Sequence, residues 1–76
     1  MKIRLNEAIA YAKMNGKEVV KKQLAAKLFP DSTPESQQVN LSYLASGRTK
    51  RVTPELIDII CEECGVTPNF LFGYEQ

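Results

Sequence analysis

The chain has 76 residues, of which 43% are hydrophobic and 25% are charged, and its net charge is +1 at pH 7. This length is about half of the ~150 residues usual for one domain, so we expect one small domain over residues 1–76 with no large catalytic cleft. The composition is that of a folded chain and excludes a disordered tail.

Cysteine and histidine usage narrows the chemistry. The only cysteines are Cys61 and Cys64, and histidine is absent. Two thiols cannot supply the four ligands of a zinc site, and they are too few for a disulfide framework. We therefore expect both cysteines to pack in the core, and we expect no metal and no cofactor. Without histidine no nucleophile-base pair is visible, and we expect a protein that is not an enzyme. A redox enzyme that uses the two thiols is a distant alternative.

The hydropathy of the chain indicates its cellular location. No stretch approaches the ~18 consecutive apolar residues of a membrane span, and the first residues lack the apolar region of a signal peptide. We therefore expect a cytoplasmic protein with no membrane partner.

Two helices are predicted in the first part of the chain. Apolar residues at helical spacing predict the first helix over residues 5–14, ended by Gly16 in a left-handed conformation. A second helix of about two turns, over residues 20–28, ends at Phe29 because the residue before a proline avoids the helical region.

Start signals are dense before the predicted third helix. Thr33 can cap this helix with Pro34 at its first position, or Ser32 can form a capping box with Glu35. Both alternatives lead to a helix that continues to about residue 46 and ends at Gly47.

A threonine followed by a proline, the start signal of the third helix, occurs twice more in the chain. Thr53 with its following proline opens a fourth helix, which ends at Gly65, and Thr67 with its following proline opens a short fifth one. No period-2 run is present, so the fold class is predicted as all-α: a compact five-helix domain with short connections.

Charge is distributed unevenly along the chain. Residues 1–51 hold all ten basic side chains against four acidic ones, a balance of +6, whereas residues 52–76 hold five acidic and no basic side chains. We expect the first part to attract polyanions and the second to repel them. The alternative is chance clustering on solvated faces.

The third helix has an unusual outer face. Its predicted buried stripe comprises Gln37, Leu41, Leu44 and Ala45. The opposite arc carries amides, hydroxyls and two apolar groups, with no charge from residue 36 to residue 46: Ser36, Gln38, Val39, Asn40, Ser42, Tyr43 and Ser46. Amides pair with adenine, hydroxyls serve several bases, and apolar groups meet the thymine methyl. We predict base contacts in the major groove of double-stranded DNA from Gln38, Val39, Asn40, Ser42 and Tyr43.

Cations flank this helix on both sides. Directly after it come Arg48, Thr49, Lys50 and Arg51, and at the start of the second helix stand Lys21 and Lys22. Ammonium, guanidinium and backbone N–H groups position a protein on DNA by binding phosphates. We therefore predict phosphate contacts from these six residues.

Three segments follow one another along the chain: QLAAKL at residues 23–28, LSYLASGRTKR at 41–51, and PEL to CGVTPNFL within 54–71. In this order they resemble the XRE or lambdoid-phage-repressor type of helix-turn-helix family. The resemblance covers nearly the whole chain. It implies that the second and third helices form the helix-turn-helix, that the third lies in the major groove, and that two copies bind an operator. It also implies base-facing roles for Gln38, Val39, Asn40 and Tyr43. Phosphate-binding roles are implied for Lys21, Arg48, Lys50 and Arg51.

The chain departs from this family in two places. Between Leu28 and Leu41 it is about six residues longer than the family's turn allows, so either loop 29–35 is enlarged or the third helix starts a turn early. The positions of a common Arg-Glu pair are Ala12 and Ala45, and this paired absence leaves no buried charge without a partner.

The residues also allow a second function besides DNA binding. A protein-interaction module of the same fold would bind a protein partner through Val39, Tyr43 and the 29–35 loop.

The aromatic residues near the C-terminus have two possible roles. Phe70, Phe72 and Tyr74 either cap the core or form a homodimer contact.

Overall fold

Five helices and no strand make up residues 2–49 and 51–74, the part of the chain that the computed structural model describes. The helices are α1 (Leu5–Met14), α2 (Lys21–Leu28), α3 (Pro34–Ser46), α4 (Pro54–Cys64) and α5 (Pro68–Leu71). The all-α prediction with five helices is confirmed, and the predicted bounds agree within about one residue.

Threonine caps explain where three of the helices begin. The hydroxyl oxygens of Thr33, Thr53 and Thr67 each accept a hydrogen bond from the backbone N–H three residues further on. The following proline stands in the first turn, where its missing N–H costs nothing. Of the two alternatives for α3, the cap is Thr33, and the capping box from Ser32 is wrong because the Thr33 hydroxyl accepts the hydrogen bond from the first turn of the helix.

Apolar side chains from all five helices form one core. The buried residues are Ile3, Leu5, Ala8, Ala12, Leu24, Ala25, Leu28, Leu41, Leu44, Ile57, Ile60, Cys64 and Leu71. From the predicted stripe of α3, Leu41 and Leu44 are fully buried, whereas Gln37 and Ala45 are half-buried at its edges. None of the described helices combines the length and the apolar character needed to cross a membrane.

The connection between α2 and α3 is ordered by a side chain of α3. This connection comprises residues 29–33. The Gln37 amide nitrogen donates hydrogen bonds to the carbonyls of Phe29 and Ser32, at 2.9 and 3.1 Å. The Ser32 N–H also donates to the Phe29 carbonyl at 3.1 Å. The extra chain length therefore lies partly in this connection and partly in α3, which starts seven residues before Leu41. Of all helix pairs, α2 and α3 pack most extensively.

The residues before α1 are held against the rest of the fold. Ile3 and Leu5 are each 1% exposed, and the Arg4 N–H between them donates a hydrogen bond of 2.8 Å to the Leu71 carbonyl. Because alternate side chains of this segment enter the core, its path across the end of the helices is defined.

Candidate nucleic-acid interface

The predicted base-contacting residues lie on the accessible side of α3. Gln38, Ser42, Val39 and Tyr43 are exposed, the last two by 47% and 42%. Asn40 is half-buried and lies at the edge of this face, because it is four residues before the buried Leu44. The prediction of an uncharged outer face therefore describes a surface that solvent and a partner can reach.

The exposed face consists of two rows of side chains. Residues four apart on a helix lie above one another, which groups Gln38 with Ser42 and Val39 with Tyr43. The first row lines a cleft of about 220 Å³, and the second row lies outside it. The sequence placed all four residues on one arc and did not separate the two rows.

Three helices contribute to this cleft. It is lined by Leu5, Asn6 and Ile9 of α1, Lys21 of α2, and Gln38, Leu41, Ser42 and Ala45 of α3. Its floor is apolar and its rim is polar, with a single charge, the ammonium of Lys21. Lys22, which was also predicted as a phosphate contact, does not line the cleft.

A tight turn follows α3 immediately. Gly47 ends the helix with φ 83°, and the Arg48 N–H donates a hydrogen bond of 2.9 Å to the Tyr43 carbonyl. Only glycine adopts this left-handed conformation at low cost. The turn brings the Arg48 guanidinium carbon to 6.0 Å from the centroid of the Tyr43 ring. A cation is thereby positioned beside an uncharged, exposed aromatic ring.

The other predicted phosphate contacts follow this turn. Arg48 and Arg51 are exposed and Thr49 is half-buried. Lys50 lies outside the described residues. Two exposed guanidinium groups therefore belong to the segment that follows α3, and that of Arg48 lies beside the end of the helix.

Not every cation of the first part of the chain faces α3. Lys27 forms an ion pair with Glu63, and the Lys17 ammonium donates a hydrogen bond of 2.8 Å to the Glu62 carbonyl. Both lysines therefore contact α4, which carries four of the nine acidic side chains of the chain. The sequence could not assign them to α4, because their partners are 36 and 45 residues away in the chain.

Two residues near α3 were not predicted as site residues. A Cβ atom added to Gly47 would lie 3.0 Å from the Cβ of Lys2, which places Lys2 directly beside the end of α3. Asn6 lines the cleft with Gln38 and Ser42. The only sequence signal for Lys2 was its charge, and none indicated Asn6, because the approach of the first residues to α3 is a tertiary contact.

The C-terminal aromatic residues differ in their surroundings. The Phe70 ring lies 5.5 Å from the Tyr11 ring, and the Arg4 guanidinium carbon lies 5.1 Å above it, so Phe70 packs within its own chain. Phe72 is half-buried, and Tyr74 is 82% exposed, with 6.3 Å between their rings. Of the three residues considered for a homodimer contact, Tyr74 has the most accessible side chain.

The thiols are placed for packing. Cys64 is buried and Cys61 is half-buried. Burial raises the pKa of both thiols, and the nearby Asp58 carboxylate raises that of Cys61 further. The Lys17 ammonium opposes this effect at Cys64 without reversing it. Thiols of raised pKa stay protonated and unreactive, as buried structural cysteines do. Among residues 2–49 and 51–74, no cluster of acidic or cysteine side chains is suited to a metal ion.

Comparison with known proteins adds no family to this geometry. No protein-family model matches the chain, and neither a curated protein nor a solved structure matches it. The candidate interface is therefore defined by this chain alone: the two rows of α3, the cleft beside them, and the cations at the start of α2 and after α3.

Proposed function

We propose that the protein is a sequence-specific DNA-binding regulator of the helix-turn-helix type, with α2 and α3 as the two helices and α3 in the major groove. The observation that carries this proposal is the exposed face of α3, which is uncharged from residue 36 to residue 46 and lies beside Lys21 and Arg48. An ordinary solvated helix face would carry lysine and glutamate, as α4 carries glutamate.

Each row of α3 has its own way to read a base. The Gln38 amide can pair with the N6 and N7 atoms of adenine, and the Ser42 hydroxyl can donate or accept. Val39 and the Tyr43 ring offer apolar surface to a thymine methyl. Because the two rows are adjacent on the helix, they would meet neighbouring base pairs.

The flanking cations would set position rather than sequence preference. Arg48 lies at the C-terminal end of α3, the exposed Arg51 follows it in the chain, and Lys21 lies across the cleft. Contacts of such groups to phosphates fix orientation and supply most of the salt-dependent affinity. Lys17 and Lys27 contact α4 and are therefore excluded from this role in the proposal.

The size of the protein favours binding by two copies. A single module of this size buries only about 600 to 1,000 Å² on DNA, so two copies on half-sites about one helical turn apart would be needed for useful affinity. We therefore propose a palindromic operator and a homodimer on DNA, and no catalytic role for the chain.

Selection of bound duplexes from a random library tests this function directly. The expected result is a two-fold symmetric site that contains adenine and thymine at the positions read by α3. A second measurement is the affinity for the selected duplex as a function of salt, where about four phosphate contacts per subunit give a log-log slope near −3.5 per subunit. A library with no enriched sequence would refute sequence-specific binding.

A protein-interaction module of the same fold is the second candidate. Two observations support it. Val39 and Tyr43 form an exposed apolar pair on α3, and Gln37 of the same helix orders the adjacent connection, residues 29–33. A fluorescence titration with random-sequence duplex at low salt distinguishes the two candidates. Absence of binding at about 10⁻⁵ M would favour the protein partner, because non-specific DNA binding is expected in that range.

A further inference from the structure

We infer that the segment leading into α1 and the first turn of α1 form a third side of the nucleic-acid interface: Lys2 binds the DNA backbone beside the C-terminal end of α3, and Asn6 contacts the nucleic acid beside Gln38. This inference rests on the proposed DNA-binding function. It adds residues that lie far from α3 in the chain and adjacent to it in space.

Lys2 is held at a defined place. Its Cβ lies 3.0 Å from the position that a Cβ on Gly47 would occupy, so the two backbones are in close contact. The next residue, Ile3, is buried, and the N–H of Arg4 is bonded to the Leu71 carbonyl. The backbone of Lys2 is thus fixed on both sides, while its side chain is exposed.

The charge of Lys2 concentrates positive potential at one end of α3. Lys2 and Arg48 lie at its C-terminal end and the exposed Arg51 follows in the chain, whereas the exposed Asp31 and Glu35 lie at its N-terminal end. Phosphates would be attracted to the first group and repelled by the second. The DNA backbone is therefore expected to pass the C-terminal end of α3, within reach of the flexible Lys2 ammonium.

Asn6 stands at the opposite side of the cleft from α3. It lines this cleft with Lys21, Gln38 and Ser42, and the structure gives no hydrogen bond to these four side chains within the described part of the chain. Polar groups that converge without internal partners are available to a ligand. Because two of them are predicted base contacts and one is a predicted phosphate contact, the ligand that also meets Asn6 is the same DNA.

Lys2→Ala tests the first half of the inference in the full chain. Loss of one phosphate contact should reduce the salt slope by about 0.9 per subunit and weaken binding about eightfold at 0.1 M salt. The loss should shrink towards 1 M salt, and Lys2→Arg should retain the contact. The matched control is Lys27→Ala, which removes a lysine that contacts α4 and should leave the slope unchanged.

Asn6→Ala tests the second half. Because Asn6 is uncharged, its replacement should weaken binding to the selected duplex several-fold without changing the salt slope. Asn69→Ala, at an exposed asparagine of α5, is the control and should bind as the unmodified protein does. Thermal unfolding of every variant reports whether the fold is intact, and Lys2→Gln replaces Lys2→Ala if the shorter side chain destabilises the protein.

The outcomes separate this inference from the function on which it rests. If the unmodified protein binds no duplex, the proposed function itself is refuted. If it binds and Lys2→Ala and Lys27→Ala have the same slope, Lys2 is no phosphate contact. If Asn6→Ala binds as tightly as Asn69→Ala does, Asn6 is no part of the interface. A change in unfolding temperature without a change in slope would assign Lys2 a structural role only.

Discussion

Replacing Gly47 by alanine perturbs the two features that define the end of α3. The first is the left-handed backbone, at φ 83°, which costs a residue with a Cβ about 1 kcal/mol or somewhat more. The second is the close approach of Lys2, whose Cβ, Cα and Cγ would lie 3.0, 3.4 and 3.4 Å from the new methyl carbon. Relief of that crowding requires the Lys2 backbone to move, and we expect about 1 kcal/mol more for it.

Gly65→Ala is the matched control for this substitution. Gly65 ends α4 in the same left-handed conformation, with φ 69°, but nothing lies within 4 Å of its added Cβ. It should therefore cost only the backbone term, about 1 kcal/mol, against about 2 kcal/mol for Gly47→Ala. For a domain of this size, each 1 kcal/mol lowers the unfolding temperature by about 4 to 8 °C.

Urea unfolding followed by circular dichroism measures both free energies of unfolding. Adding Lys2→Gly to Gly47→Ala removes the Cβ at 3.0 Å, so the two substitutions should show a favourable coupling energy of about 0.5 to 1 kcal/mol. Equal losses for Gly47→Ala and Gly65→Ala, together with zero coupling, would refute the close contact between Lys2 and the end of α3.

Three further predictions concern recognition, the α2–α3 connection and the thiols. Gln38→Ala should cost about 1 to 3 kcal/mol at one base pair of the site, whereas Arg48→Ala should weaken all sequences alike and lower the salt slope by about 1; identical behaviour of the two variants across a randomised library would contradict this division. Gln37→Ala removes two hydrogen bonds to the connection and should lower the free energy of unfolding by about 1 to 2 kcal/mol in urea, while the exposed Gln23→Ala should change it little. Because burial raises the pKa of the Cys64 thiol above its ordinary 9.0, the unfolded state loses its proton first, and stability should fall as pH rises above about 9. Unfolding curves between pH 7 and pH 10 check this, and Cys64→Ala should reduce the dependence on pH.

The placement of charge has a consequence for how the protein would approach DNA. Two cations from other parts of the chain contact the acidic α4, through the Lys27–Glu63 ion pair and the hydrogen bond from Lys17 to the Glu62 carbonyl. These contacts moderate the negative potential of that helix, and both lysines are exposed, so each contributes little to stability. No such acidic partner is bonded to Lys21, Arg48 or Arg51 within the described residues, so a direct contact does not neutralise these three charges.

Local chemistry alone determined where the helices lie. At a helix start, a threonine hydroxyl accepts a hydrogen bond from a backbone N–H of the first turn, and the proline that follows has no N–H that would need a partner. At a helix end, glycine adopts the left-handed conformation at low cost. Both effects act within three or four residues, so the starts at Thr33, Thr53 and Thr67 and the ends at Gly47 and Gly65 were predictable. Helical periodicity likewise identified Leu41 and Leu44 as core residues, since one face of a helix must be buried.

Tertiary structure decided which of these surfaces meet. Lys2 approaches Gly47, Asn6 shares a cleft with Gln38, and Lys27 pairs with Glu63, each across more than thirty residues of chain. No local rule encodes such contacts, because they depend on how the core side chains orient five helices relative to one another. The order of the helices could thus be predicted from the residues in sequence, whereas the composition of the interface depended on the packing that joins the first residues of the chain to α3.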